Sequence, residues 1–299
     1  MSSTRLIGLG LLVGALLVPA VVVAQSHGRS PSLNAEAVLL IDTEGRTVFA
    51  KNPNVEHAPA SLVKLMTLYL AFQDIEADRA ALDDPVVISH ASATTPRYRM
   101  GLRAGEIVPL RILLEGVAIA SANDAATAVA EHLSGDEATF VSRMNAKAFE
   151  LGMTATRYAN PHGLPDPSQR TNARDVAQLM GRLLQDHPGA RTMLGGQMFI
   201  YRGRVYARHI SLFNDPGGVQ ALKTGFTREA GYNLAVSAWR AGQQFVMIVL
   251  GARTRAQSFL DGKKVLRYGF IETGLESQDE PRPQPASKRP VRARRTTRG

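Results

Sequence analysis

Two short apolar runs, Ala37–Asp42 and Thr47–Ala50, flank the turn-forming Glu44-Gly45-Arg46. This pattern predicts a β-hairpin. After Pro59-Ala60, the stretch Ser61–Phe72 is apolar almost throughout, too long for a strand and rich in helix formers, so it predicts a buried helix. Helical patterning returns from about Leu110 to Leu133, interrupted at Ser121-Ala122-Asn123-Asp124. Asp136–Gly152 reads as a helix with an acidic start and a glycine stop, Asn160–Pro165 as a loop, and Thr171–Leu184 as a further helix with Asp175 in its first turn. The chain then changes character. Val219–Gly225, Tyr232–Ala238 and Gln244–Leu250 are strand-like runs, the last two joined at Arg240-Ala241-Gly242, and residues 256–273 close with a helix. Strands at both ends and helices between predict an α+β fold, in which the hairpin and the three-strand meander form one five-stranded antiparallel sheet and the helical insert packs beside it.

Composition narrows the chemistry. The 299 residues contain no cysteine, which excludes a disulfide scaffold, thiolate zinc sites, iron–sulfur clusters and a cysteine nucleophile. The seven histidines show no paired ligand spacing, so no metal site is expected. The net charge of +9 suggests nucleic acid until it is divided by position. Residues 281–299 hold seven Lys/Arg and no acid, and residues 1–24 hold only Arg5. The 27 basic residues elsewhere face 26 acidic ones. The body is therefore close to neutral, and no nucleic-acid partner is expected.

The two ends have their own signatures. Arg5, the apolar stretch Leu6–Val23 and the small-residue end Val22-Val23-Ala24 predict a signal peptide over residues 1–24, cut after Ala24. An uncleaved anchor is the alternative. Either way the body, residues 25–275, is expected to be exported to the periplasm or cell envelope. The Pro/Arg-rich segment 276–299 cannot bury a core and is expected to be a disordered basic tail. Its charge suits a weak contact with an anionic membrane or wall polymer, with a purely solubilising role as the alternative.

Three short patterns carry candidate chemistry: Ser61-x-x-Lys64 at a helix start, Ser121-x-Asn123 between helices, and Lys223-Thr224-Gly225 on a strand. Residues three apart share a helix face, so Lys64 can reach Ser61. A serine hydroxyl needs such a base to become a nucleophile. Lys64 can serve only if neutral, and burial together with a second cation, Lys223, would lower its pKa. Ser121 can relay a proton, and Asn123 can hold Lys64 and a substrate amide. Lys223 and Thr224 offer a charge and a hydroxyl to a carboxylate, and Gly225 lets a substrate backbone lie against the strand. Singly, each pattern is better read as a helix cap, an inter-helix turn or a solvated strand end. Their joint order is what gives them weight.

With this trio in place the chain resembles the low-molecular-mass penicillin-binding proteins of the D-alanyl-D-alanine carboxypeptidase family. The likeness spans about residues 32–273 and rests on Pro59–Thr67, Leu102–Glu106 through Leu113-Leu114 to Ser121–Asp124, Asn160–Leu164, Thr171–Asp175, Gly218–Thr227 and Ala230–Leu234. It implies a β-lactamase/D,D-peptidase-like fold, with Ser61 as acylated nucleophile and Lys64 as its base. Ser121 and Asn123 would assist, and Lys223 and Thr224 would bind the terminal carboxylate. The backbone N–H groups of Ser61 and Phe226 would form the oxyanion hole, and Arg253 would add a second carboxylate contact. The implied substrate is a peptidoglycan stem peptide ending in D-Ala-D-Ala, the implied inhibitors are β-lactam antibiotics, and no cofactor is implied. Gln220-Ala221 departs from the family's usual Asp-Gly, and Arg208–Ser211 departs from its asparagine-containing stretch. Many relatives continue into a second β domain and an anchoring helix, where this chain has only the basic tail. The resemblance leaves an endopeptidase of cross-bridges as rival. A β-lactamase is disfavoured by the lack of Glu-x-x-Leu-Asn, and a non-catalytic wall-binding protein by the intact trio.

Overall fold

The computed structural model describes residues 30–214 and 218–277. The expected signal peptide, and all but the first two residues of the expected tail, lie outside them.

The predicted sheet is present. Strands β1 (Ala37–Asp42), β2 (Thr47–Lys51), β7 (Val219–Thr227), β8 (Gly231–Arg240) and β9 (Gln243–Ala252) form one sheet in the order β2-β1-β9-β8-β7. Every pairing is antiparallel, and β1 joins the hairpin to the meander through Ala37↔Leu250 to Asp42↔Phe245. β7 is therefore an edge strand. Alternation in the strands divides two cores. Leu39, Ala235, Ile248 and Leu250 face the helical insert. Leu40, Leu234, Val236, Met247 and Val249 face helix α8 (Arg255–Glu272), which supplies Val265, Leu266 and Phe270. A sheet covered on both faces explains why β8 and β9 read as continuous apolar runs.

The insert is built on α1 (Lys64–Glu76), whose residues Lys64 to Phe72 are all buried. The small hairpin of β3 (Pro85–Val87) and β4 (Ile107–Pro109), with α2 (His90–Thr94) between its strands, precedes α3 (Leu110–Glu115) and α4 (Asn123–Ser134). Then follow α5 (Glu137–Glu150), α6 (Ala173–Asp186), α7 (Gly189–Gly195) and a second small hairpin of β5 (Met198–Tyr201) and β6 (Arg204–Ala207). The acidic cap read from the sequence is in place, Asp136 accepting from Thr139 N, and α6 is capped by Asn172, which accepts from Asp175 N and had not been anticipated. The two small hairpins, α2 and α7 were not anticipated from the sequence. Three- and four-residue strands carry too few positions for a periodic signal.

Candidate active site

Ser61 does not sit in the first turn of an α-helix. It lies in a 3₁₀ turn, Ala60–Val63, and the α-helix begins at Lys64. Gly163 is what holds this turn against the insert. Its φ is +85°, and a Cβ there would fall 2.0 Å from the Ala60 carbonyl oxygen, so only glycine lets the Asn160–Leu164 loop close on the Ser61 turn. From the sheet side, Gly225 does the same. A Cβ on it would stand 3.0 Å from Ser61 N and 3.2 Å from Pro59 O. Asn233 on β8 completes the seat, donating to the carbonyls of Ala58 (2.9 Å) and Pro59 (3.2 Å) while accepting from Gly251 N.

Lys64 is wholly buried and donates to Ser61 Oγ (3.2 Å), Asn123 Oδ1 (2.7 Å) and the His162 carbonyl. Its pKa is pushed down to about 7 by burial, against a smaller upward pull from Asp124. Burial, the neighbouring Lys64 and Arg208 hold the Lys223 pKa well below the ordinary range, and the repulsion between the two lysines is mutual. Lys223, also buried, donates to Ser121 Oγ (2.8 Å) and to the Thr224 carbonyl (2.8 Å). The three sequence patterns are thus joined in one chain of contacts, Ser61–Lys64–Asn123 on one side and Ser121–Lys223–Thr224 on the other. His162 is buried, with its pKa pushed down to about 3 by burial and then by Lys64, so its ring is neutral beside the lysine.

Asn123 is itself gripped. Its amide nitrogen donates to the carbonyls of Pro96 and Arg97, both at 3.0 Å, and its backbone N–H donates to Tyr98 O at 2.7 Å. Asp124 receives the backbone N–H groups of Met100, Gly101 and Leu102 and so pins the far end of the same loop. Among the described residues, eight non-glycine residues have left-handed φ, and four of them (Ala60, Arg97, Tyr98 and Ser121) surround this constellation. Such strain persists only where neighbouring contacts over-determine the backbone.

Arg208 escaped the sequence reading. It is half-buried and donates to the carbonyls of Gly196 (2.8 Å), Ala118 (3.2 Å), Leu222 (2.9 Å) and Leu194, tying α7 and the turn before Ser121 to the strand before Lys223. Burial brings its pKa down to about 10. Phe226, 37% exposed, stacks on Tyr232 with ring centroids 4.3 Å apart. Thr224 is half-buried. Arg253 is exposed one residue past β9, where Ala252 pairs with Tyr232, at the same end of the sheet as Phe226. It makes no hydrogen bond or ion pair among the described residues. No group of three or more His, Asp or Glu side chains among the described residues could hold a metal ion. No described helix is long and apolar enough to cross a membrane.

A profile of the D-alanyl-D-alanine carboxypeptidases matches residues 24–254, and the chain belongs to that family. It is 34% identical over 273 residues to the D-alanyl-D-alanine carboxypeptidase DacC of Escherichia coli K12, covering 87% of this chain and 68% of that one. Its fold superposes on penicillin-binding protein 5 of Haemophilus influenzae with a TM-score of 0.79 at 31% identity, over 82% of this chain and 73% of the other. A D-alanyl-D-alanine endopeptidase of Pseudomonas aeruginosa is less similar, 28% identical over 81% of this chain and 78% of that one. Both the β-lactamase/D,D-peptidase-like fold and the family resemblance read from the sequence are borne out.

Proposed function

We propose that the protein is a serine-type D-Ala-D-Ala carboxypeptidase that works through an acyl-enzyme. One observation carries the reading: a buried lysine with its pKa near 7 lies 3.2 Å from a serine hydroxyl. Neutral Lys64 takes the Ser61 proton as Oγ attacks the penultimate D-alanine carbonyl carbon. The N–H groups of Ser61 and Phe226 receive the developing oxyanion. Ser121, held by Lys223, passes a proton to the departing amine, and the bond to the terminal D-alanine breaks. Lys223 and Thr224, with Arg253, hold that residue's carboxylate, whose charge favours the protonated form of Lys223. Gly225 keeps the strand open for the substrate backbone, and Asn123 positions Lys64 and a substrate amide. Water then releases the acyl group.

The substrate on this reading is a peptidoglycan stem pentapeptide, and β-lactams acylate Ser61 by the same attack. Residues 25–275 form the catalytic domain, delivered to the periplasm by a signal peptide over 1–24. The basic segment 276–299 makes a weak contact with anionic membrane or wall polymer. Cleavage of cross-bridges is the second reading, supported more weakly by the likeness to the Pseudomonas endopeptidase. Labelled penicillin is expected to mark the wild type and not Ser61→Ala, and the wild type is expected to release D-alanine from pentapeptide. A label that survives in folded Ser61→Ala refutes the assignment. Cross-linked dimers cleaved faster than pentapeptide would favour the second reading.

A further inference from the structure

The segment Pro96–Arg99 has an unusual division of labour. Its four residues are all exposed, between buried Thr95 and buried Met100. Its carbonyls point the other way: those of Pro96, Arg97 and Tyr98 all accept from Asn123. Both ends are fastened, Thr95 by its hydroxyl to Thr127 and Met100 by its N–H to Asp124 and its carbonyl to Tyr206 OH. Arg97 and Tyr98 have φ of +53° and +38°, a left-handed pair that neither side chain favours. The backbone is thus a clamp on an active-site asparagine, and the clamp forces an Arg-Tyr-Arg crown outward.

The crown is chemically distinctive. Residues 85–105 contain Arg97, Arg99 and Arg103 and no acidic residue. Arg97 has no ion pair or side-chain hydrogen bond among the described residues, and Tyr98 is 56% exposed. Among the described residues, Arg99 reaches only the Ala93 carbonyl. A surface arginine without an internal partner, fixed on a strained backbone beside a catalytic group, is available to a ligand.

We propose that the Pro96–Arg99 crown is a specificity element that recognises a free carboxylate on the acyl-donor part of the peptide, upstream of the scissile bond. The inference rests on the carboxypeptidase reading. That reading gives the terminal carboxylate to Lys223 and Thr224 and the acyl-side amide to Asn123, so the peptide running upstream from Asn123 meets this crown. Arg97 supplies the charge, and the Tyr98 ring offers an apolar face. Because the crown's backbone also holds Asn123, which holds Lys64, a peptide seated on it is registered against the base.

The test compares two pentapeptides that differ in one group, an upstream side-chain carboxylate either free or amidated, and follows D-alanine release. For the wild type the free acid is expected to have the higher kcat/KM. In Arg97→Glu the ratio of kcat/KM for free acid to that for amide is expected to fall by about tenfold, roughly the cost of turning an attractive surface charge pair into a repulsive one. The fall should lie in KM and shrink near 0.5 M salt. Arg97→Lys, which keeps the charge, should hold the ratio within about twofold of wild type, and penicillin labelling of each variant reports its folding. A wild type that does not discriminate, or an Arg97→Glu ratio equal to wild type, overturns the proposal. A wild type that takes up no penicillin at Ser61 overturns the underlying reading instead.

Discussion

The two ends of helix α1 bury charge in opposite ways. At its start, Lys64 is fully buried and no carboxylate touches its ammonium. Its partners are a hydroxyl, an amide oxygen and a backbone carbonyl. Near its end, Asp74 is as deeply placed, its side chain 3% exposed, yet it has two arginines. Arg143 bonds both carboxylate oxygens at 2.7 Å, and Arg79 adds bonds of 2.6 and 3.0 Å. Arg143 continues to Leu133 O and Ser134 Oγ, so the cluster fastens α1 to α4 and α5. Burial with a countercharge makes a tie between helices, whereas burial without one moves a proton equilibrium to where chemistry can use it. Exposure alone does not separate the two. The inventory of partners does.

The sharpest way to break this contrast is Lys64→Arg. Arginine keeps the positive charge but cannot give up its proton near neutrality. Acylation by labelled penicillin should therefore fall by at least about 10²-fold, the low end for loss of a general base. A near-normal rate would mean that Lys64 is no base and that its burial is merely structural.

Asp74→Ala attacks the other end. It leaves Arg143 half-buried without its carboxylate. The expected loss in denaturant unfolding is about 2–3 kcal/mol, below the usual figure for a buried pair because Arg79 is 54% exposed and Arg143 29%. Penicillin labelling per folded molecule should not change. A drop in labelling with stability intact would mean that the two ends are coupled through the helix.

The third effect is smaller and follows from the sign of the Lys64 shift. Its folded pKa, about 7, lies below the ordinary lysine value, so the neutral form is gained as pH rises through 7. Acylation should be half-maximal near pH 7 and fall about fivefold between pH 7 and pH 6. The same shift costs stability, because the unfolded chain binds a proton at Lys64 that the folded one resists. The contribution is unfavourable below the unfolded pKa, is fully unfavourable once pH has dropped past the folded one, and is relieved on the alkaline side. An acylation profile flat from pH 6 to 8 would contradict the depressed pKa.

Much of this was legible beforehand, for reasons that differ by element. The large strands and the long helices declare themselves through sustained apolar runs, and the trio Ser61-x-x-Lys64, Ser121-x-Asn123 and Lys223-Thr224-Gly225 through order and spacing. What stayed hidden depends on contacts between distant segments. Nothing local marks Arg208 as a clamp on four carbonyls, since its partners lie in three other segments. Nothing local shows that Gly163 must pass the Ala60 carbonyl, because loop glycines are common and only the close approach makes this one indispensable. The order of the motifs suggests that Lys223 comes near Lys64, whereas the upward pull of Asp124 on Lys64 and the repulsion of Arg208 on Lys223 depend on contacts between distant segments.

The seat of Ser61 has a consequence for how the protein comes into being. Lys64 is tied to partners 59 and 98 residues later, Lys223 reaches back 102 residues to Ser121, and Asn233 secures Ala58 across 175. β1 reaches its place in the sheet only when β9 arrives. No segment of the chain holds a working fragment of this site, and contacts so remote in sequence form late in folding because long loops must close first. A chain emerging from a ribosome thus has no assembled site until its last strands dock, and penicillin labelling of Ser61 would report completion of the whole fold.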